Sequence, residues 1–291
     1  MRDRIATAAA TLGYHPNFLP RMMLSGRSGI VAVVVGGFYN PFHAATLESF
    51  SRALRAAGKT IMLVQVENDR GLDEIVGELA GYRVDAVVSA LSVLSQAAAD
   101  ALSAFRIPVI LLNAGITSPW IRTVDSDNEG AGRTAARRLH SRGAKRFAYV
   151  GAESSASAAR GKGFEDELRA LGVSDIIFHT GNLDHDGGYA AGCALLAQKD
   201  RPDGIFCVND LTAIGIIDAL RVEAELSVPG DAMIIGYDNI APASWPAYAL
   251  TTFDQQVDDM VDRAVALLDL PPDDPHPKEV VPFRLVERHS A

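Results

Sequence analysis

The chain has 291 residues, 48% of them hydrophobic, and is long enough to bury the cores of two globular units. Its formal net charge of −9, from 27 basic and 36 acidic residues, excludes a nucleic-acid-binding body of the polybasic kind. The two cysteines, Cys193 and Cys207, form no CxxC pair, which excludes a disulfide framework. Because no apolar run approaches the roughly 18 residues of a membrane span and no signal-peptide pattern is present, we expect a cytoplasmic protein.

The first 28 residues differ from the rest of the chain in charge. They hold four arginines against one aspartate, a net +3 that leaves −12 for the remainder. An apolar stripe predicts one helix over residues 2–12, and Asn17 can cap a short second helix over residues 18–24. Any contacts with phosphate groups are therefore expected at this end of the chain.

From residue 30 onward, apolar strand-like runs alternate with amphipathic helices. The first series contains strands at 30–35, 60–66, 86–89 and 108–113, with helices at 41–57 and near 72–82 and 95–105. The second series contains helices at 129–142, 158–171, 188–198 and 211–223, which alternate with strands at 146–150, 175–180, 204–208 and 232–237. This alternation predicts an α/β fold with two doubly wound parallel sheets.

Three irregular segments, at 116–122, 241–249 and 271–275, are predicted to be crossovers between two lobes. We expect a first lobe of residues 29–118 and 250–271. The second lobe would then comprise residues 119–249 and 272–291, and residues 1–28 would lie outside both. Two such lobes enclose a cleft, and ligands of these sheets sit at the carboxyl ends of the strands.

Motifs for catalysis or nucleotide binding are weak. The segment 130–135 fits G-x-G-x-x-A, but acidic and amide side chains precede it where a dinucleotide site needs an apolar strand. Gly161-Lys162-Gly163 lacks the spacing of a phosphate-binding loop, so we interpret it as a helix-packing motif. With no HExxH, no GxSxG and no Cys/His pair, the sequence predicts neither an enzyme nor a metal or other cofactor.

Polar residues recur at the ends of the apolar strands. Each asparagine or aspartate among them could simply cap the following helix. Their recurrence, together with an arginine at the start of a second-lobe helix, favours a shared site for a hydroxyl-rich or acidic small molecule. The residues concerned are Asn113, Asn209, Asp238, Gln255 and Arg160.

Taken in chain order, the motifs resemble the LacI/GalR family of bacterial transcription regulators. The segments that carry the resemblance are Leu12-Gly13-Tyr14-His15-Pro16-Asn17, Asn40-Pro41-Phe42, Asp127-Asn128, Arg160 with Gly163-Phe164, Val208-Asn209-Asp210, Ile235-Gly236-Tyr237-Asp238 and Leu250-Thr251-Thr252-Phe253-Asp254-Gln255. The resemblance implies a periplasmic-binding-protein-like core of type I, a hinge helix that enters the DNA minor groove, and a homodimer acting as a repressor.

The resemblance also assigns candidate residues. Arg160, Asn209, Asp238 and Gln255 match effector-contacting positions, and Phe42 and His43 match residues of the first-lobe wall. Leu183 stands where the family has an aromatic residue that stacks on the ligand, and Asn113 stands where Asp is frequent. Asp125 is a further candidate effector contact.

In the hinge, the resemblance assigns DNA contacts to Asn17, Leu19 and Met23, with Met23 as the apolar wedge between base pairs. The helix-turn-helix pair of the family would precede Arg2, so we expect this chain to carry only the last helix of that head. Met1 stands where Val or Thr is frequent, which suggests a truncated or mis-started reading frame. We accordingly expect residues 2–28 to be poorly ordered in the free protein and the chain not to read an operator specifically.

The leading hypothesis is therefore a regulator that binds a sugar, sugar acid or nucleoside and, in its full-length form, operator DNA. The alternative is a sugar-binding protein of a transport system, which has the same core but predicts a signal peptide, a monomer and no basic hinge.

Overall fold

The computed structural model describes residue 4 and residues 11–13, 26–66, 75, 79, 81–91, 99–100, 103–114, 116, 118–271 and 278–291. The hinge residues Asn17, Leu19 and Met23 lie outside these described residues, as does most of the helix predicted over residues 2–12. None of the helices in the described ranges is long and apolar enough to cross a membrane.

Twelve strands and six α-helices are defined within the described residues. The strands are β1 (Ile30–Val35), β2 (Thr60–Gln65), β3 (Ala86–Ser89), β4 (Val109–Leu112), β5 (Ile121–Ser126), β6 (Phe147–Gly151), β7 (Ile176–Thr180), β8 (Gly204–Cys207), β9 (Met233–Ile235), β10 (Thr252–Asp254), β11 (Glu279–Val281) and β12 (Arg284–Val286). The helices are α1 (Pro41–Ala56), α2 (Asn128–Ser141), α3 (Ser155–Ala170), α4 (His185–Leu196), α5 (Asp210–Ala224) and α6 (Val257–Ala266). Short 3₁₀ turns lie at Ala241–Ser244 and Leu267–Asp269.

The first lobe is built on a six-stranded parallel sheet with the strand order β11-β5-β4-β3-β1-β2. Alternate residues of β1 enter two different apolar clusters. Val31 and Val33 pack with Phe50 of α1 and Met260 of α6, whereas Ala32 and Val34 belong to the cluster on the other face. Because both faces are covered, a continuous apolar run is what this strand requires.

The second lobe is built on a four-stranded parallel sheet with the order β7-β6-β8-β9, together with α2, α3, α4 and α5. Helices α2 and α3 approach so closely that a Cβ added at Gly132 would overlap the carbonyl oxygen of Arg160. A Cβ at Gly163 would likewise overlap the carbonyl oxygen of Glu129. The interpretation of Gly161-Lys162-Gly163 as a helix-packing motif is therefore confirmed.

The two-sheet α/β fold predicted from the sequence is confirmed, but the lobe boundaries differ from those expected. Residues 121–126, which were assigned to the second lobe, form β5 of the six-stranded sheet, and β11 pairs with it. Four of the six residues of β5 are polar, yet all six are buried, so the strand is not recognisable as an apolar run.

Residues 252–254, which were expected in the first lobe, form β10 in the second. This strand pairs with β12 and is bridged to β9 through Thr251 and Ile235. Phe253 is fully buried there, with its ring centroid 5.9 Å from that of Phe206 and 5.7 Å from that of Tyr237. The return to the first lobe therefore begins at Gln255, after the strand rather than before it.

Candidate functional site

Eight of the nine predicted effector residues line one cavity between the lobes. Its volume is about 120 Å³, and the eight residues are Phe42, His43, Asn113, Arg160, Leu183, Asn209, Asp238 and Gln255. Three of them follow strands of the two parallel sheets, since Asn113 comes after β4, Asn209 after β8 and Asp238 shortly after β9. The carboxyl ends of both parallel sheets therefore face this cavity, where ligands of such sheets are expected to bind.

The first-lobe wall is formed at the start of α1. Asn40 caps this helix by accepting a hydrogen bond from the backbone N–H of Phe42 at 3.0 Å. The Phe42 ring is buried in a cluster whose other buried members all belong to the second lobe. Burial lowers the pKa of His43, and its Nδ1 has no hydrogen-bond partner among the described residues. The imidazole is therefore neutral near pH 7 and keeps one free polar atom.

Amide groups connect the two lobes across the cavity. The Asn113 Oδ1 accepts a hydrogen bond from the backbone N–H of Ser126 at 2.8 Å, which leaves its Nδ2 to donate to the Gln255 Oε1 at 2.7 Å. Gln255 then donates from Nε2 to the Asp238 Oδ1 at 2.5 Å. This chain of bonds, which we term the amide relay, directs donors toward the Asp238 carboxylate.

Arg160 is held on three sides. Its Nε donates to the Asn128 Oδ1 at 2.8 Å and its Nη1 to the carbonyl oxygen of Val208 at 2.6 Å. The guanidinium carbon lies 3.4 Å from the centroid of the Tyr237 ring, a cation–π contact. The side chain is only 5% exposed, so this cation is fixed in position before any ligand arrives.

Asp238 supplies the carboxylate of the cavity. Burial raises its pKa to about 7, and the positive charge of Arg160 and the hydrogen bond from Gln255 oppose that rise. Its backbone φ of 108° lies in the left-handed region that favours glycine. Holding an aspartate there costs on the order of 1–3 kcal/mol, a strain that clusters at functional sites in proteins.

Asn209 caps the N-terminus of α5, which is the alternative role of a polar residue at a strand end. Its Oδ1 accepts from the backbone N–H of Thr212 at 2.9 Å, and its Nδ2 donates to the carbonyl oxygen of Leu183 at 2.8 Å. The neighbouring Asp210 is fully buried, accepts hydrogen bonds from the Thr252 hydroxyl and the Ile240 N–H, and has a pKa raised well above its usual value by burial. Asp210 therefore links β10 to α5 and does not line the cavity.

Asp125 does not reach the cavity, contrary to the prediction. It lines a neighbouring cavity of about 470 Å³, where its Oδ2 lies 2.5 Å from the Lys278 Nζ. The next residue, Ser126, lines the same neighbouring cavity, and its hydroxyl bonds the Tyr237 hydroxyl at 2.8 Å. The ion pair with Lys278 thus holds the Asp125 carboxylate outside the ligand site.

Three contributors were not found from the sequence. Asn128 and Tyr237 hold Arg160, and Asn40 positions the start of α1. The Asp127-Asn128 and Tyr237-Asp238 pairs were part of the family resemblance, but no local pattern indicates that either touches Arg160. Within the described residues, no group of three or more histidine, cysteine or acidic side chains is placed to hold a metal ion.

Two parallel-sheet lobes that enclose a polar cavity define a two-lobed small-molecule-binding core. Residues 136–291 match the model of the periplasmic binding protein-like domain. The chain belongs to this family and, within it, to the LacI/GalR transcription regulators.

Relatives and solved structures agree with this assignment. The HTH-type transcriptional repressor PurR of Mannheimia succiniciproducens is 28% identical over 274 residues, which are 92% of this chain and 81% of that protein. The HTH-type transcriptional regulator CelR of Thermobifida fusca is 27% identical over 278 residues, 92% of this chain and 81% of that protein. A solved CelR–cellobiose complex is 26% identical, covers 100% of this chain and 90% of its own, and has a TM-score of 0.81. The lac repressor bound to ONPG, 20% identical with a TM-score of 0.87, covers 100% of this chain and 90% of its own and supports the fold alone.

Proposed function

We propose that this regulator binds a small, hydroxyl-rich effector in the cavity between its lobes and thereby alters its hold on operator DNA. The observation that carries the proposal is the pair formed by Asp238 and Arg160, one acceptor and one fixed donor facing the same cavity. Adjacent hydroxyls donate well to a carboxylate and accept from a guanidinium. Each charge-assisted bond of this kind contributes about 1.5–3 kcal/mol.

The size of the cavity favours a small effector. Its volume of about 120 Å³ is below the roughly 300–1,000 Å³ of pockets for drug-sized ligands. Solved relatives include one with cellobiose and one, from Enterococcus faecium, with bound ribose, the latter 26% identical with a TM-score of 0.79 over 90% of this chain and 98% of its own. Between those two ligands, the space here favours the smaller. Leu183 offers an aliphatic surface, which disfavours effectors that depend on aromatic stacking.

Asp238→Asn tests the site, because it removes the charge and keeps the shape. An effector is first found by thermal shift over sugars, sugar acids and nucleosides, and its affinity is then measured by calorimetry. We expect Asp238→Asn to weaken binding by about tenfold or more, in line with 1.5–3 kcal/mol for a bond to a charged group.

The exposed carboxylate Asp186 provides the matched control, and Asp186→Asn should bind like the wild type. Unchanged affinity in Asp238→Asn would remove this cavity as the effector site. The relatives are a transcriptional repressor and a transcriptional regulator, and the proposal assigns no catalytic step to the chain.

We further propose that the regulator acts as a homodimer. A groove of about 1,050 Å³ runs along α1 and the edge strand β2, with apolar walls that include Phe38, Ile61 and Leu63. Phe38 is 41% and Leu63 49% exposed, and β2 is an unpaired edge of the six-stranded sheet within the described residues. A second copy that covers this face would bury both the apolar side chains and the strand edge.

A further inference from the structure

One edge of the first lobe carries basic side chains from four successive connections. Arg27 precedes β1, Lys59 precedes β2, Arg83 precedes β3 and Arg106 precedes β4, and all four line one cavity of about 730 Å³. Strands of a parallel sheet begin at the same edge, so the topology itself gathers these residues. We call these four residues the basic edge.

The carboxylates at this edge are already occupied. Among the described residues that line the cavity, the acidic ones are Asp85 and Asp269. Asp85 accepts hydrogen bonds from the backbone N–H groups of Ser28 at 2.7 Å and Gly29 at 2.9 Å, and Asp269 lies 3.6 Å from the Lys59 Nζ. The four basic residues and these two carboxylates leave a net charge of +2 at this edge, in a chain of net charge −9.

Two of the arginines occupy backbone positions that would suit glycine. Arg83 has a φ of 52° and Arg106 a φ of 54°, while the equivalent turn before β2 uses Gly58 with a φ of 68°. A left-handed conformation costs an L-residue roughly 1–2 kcal/mol. Both arginine side chains are exposed, so packing does not require them there.

The basic edge surrounds the point where the N-terminal segment joins the core. Asp85, which is two residues after Arg83, holds Ser28 and Gly29 at this edge through its hydrogen bonds to their backbone N–H groups. A duplex bound by the N-terminal segment would therefore approach the core at this edge.

We propose that the basic edge contacts the phosphate backbone of duplex DNA beside the hinge. Guanidinium groups match phosphate oxygens in a bidentate manner, and such contacts add affinity without reading sequence. This proposal rests on the regulator function and assigns part of the DNA interface to the ligand-sensing core. It does not depend on the identity of the effector or on the cavity between the lobes.

The test measures binding of the 291-residue chain to a 30-base-pair duplex of random sequence by fluorescence anisotropy between about 20 and 200 mM salt. The variant is Arg83→Gln/Arg106→Gln. We expect the plot of log affinity against log salt to become less steep by about 2, because each lost phosphate contact reduces the slope by about 1.

The matched control is Arg142→Gln/Lys145→Gln. These two exposed residues precede β6 at the N-terminal edge of the four-stranded sheet, and the variant has the same net charge. Because the carboxyl ends of both sheets face the cavity between the lobes, this edge lies at the opposite end of the molecule. We expect its slope to equal that of the wild type, and all three proteins to have equal melting temperatures.

Four results would overturn the proposal. They are a wild-type slope in Arg83→Gln/Arg106→Gln, an equal loss in the control, no binding by the wild type at 20 mM salt, and displacement of the duplex by inorganic phosphate at constant ionic strength. The last result would indicate a pocket for a small anion. Effector calorimetry on the same variants keeps this outcome separate from the effector proposal, since the basic edge is remote from that cavity.

Discussion

At the scale of single residues, Asp238 is the side chain whose charge controls the cavity near neutral pH. Burial raises the pKa of Asp238 to about 7, and burial lowers the pKa of His43, so that the imidazole is neutral at pH 7 and above. Near pH 7, the carboxylate of Asp238 is therefore the group in the cavity whose charge changes with pH.

Effector affinity should accordingly rise with pH. A pKa of about 7 leaves roughly a tenth of the Asp238 side chains ionised at pH 6 and nine tenths at pH 8. If effector hydroxyls donate to the carboxylate, the dissociation constant falls about tenfold across this interval. Calorimetry at pH 6, 7 and 8 measures it, and Asp238→Asn should give a flat profile. Equal pH dependence in Asp238→Asn and the wild type would show that another group titrates.

At the scale of elements, the crossing of α2 and α3 positions Arg160. Gly132 and Gly163 allow the backbones of the two helices to touch, and Arg160 lies one turn before Gly163. The Nε of Arg160 bonds Asn128 at the start of α2. The helix contact therefore sets the place of the guanidinium.

Gly163→Ala should lower the melting temperature. Alanine in a helix is usually favoured over glycine by about 0.5–1 kcal/mol, but here its Cβ would overlap the Glu129 carbonyl and force the helices apart. Overpacking of this kind costs roughly 1–3 kcal/mol, or about 2–10 °C for a chain of this size. Gly81→Ala is the control, since no atom of the described residues lies within 4 Å of a Cβ there. Calorimetric melting that left Gly163→Ala as stable as the wild type would contradict the close contact.

Much of this element pattern could be predicted from the sequence. The second-lobe helices begin within about three residues of their predicted starts, because caps and apolar periodicity mark them. Strand β5 was missed, since its polar side chains serve long-range partners. Arg122 donates to the carbonyl oxygen of Leu267 at 2.7 Å, and Asp125 pairs with Lys278.

The candidate site, like the fold, could be predicted from the sequence only in part. Asn113, Asp238 and Gln255 follow from the rule that polar residues at strand ends meet, and the structure joins them in the amide relay. The contact of Arg160 with Tyr237 depends on two segments far apart in the chain. Local sequence carries no signal for such a pair.

At the scale of the whole molecule, the proposed dimer face gives a further prediction. Leu63→Glu places a charge on the exposed edge strand β2, and we expect it to shift the protein to monomers at concentrations where the wild type is a dimer. Light scattering after size exclusion measures the mass. Phe178→Glu is the control, because Phe178 is 50% exposed on β7, the edge strand of the other sheet. A dimeric Leu63→Glu protein, or a wild type that is monomeric throughout, would contradict this face.

The burial of Phe42 against the second lobe opposes any separation of the lobes. Withdrawing a phenylalanine ring from an apolar cluster into water costs about 1.5–3 kcal/mol, which alone favours the closed form by roughly 10–150-fold. A ligand can shift this balance only by its difference in affinity for the two forms. The size of the residue at position 42 would then govern the fraction of the protein that is already closed when no effector is present. That fraction in turn limits how much further closure an effector can cause.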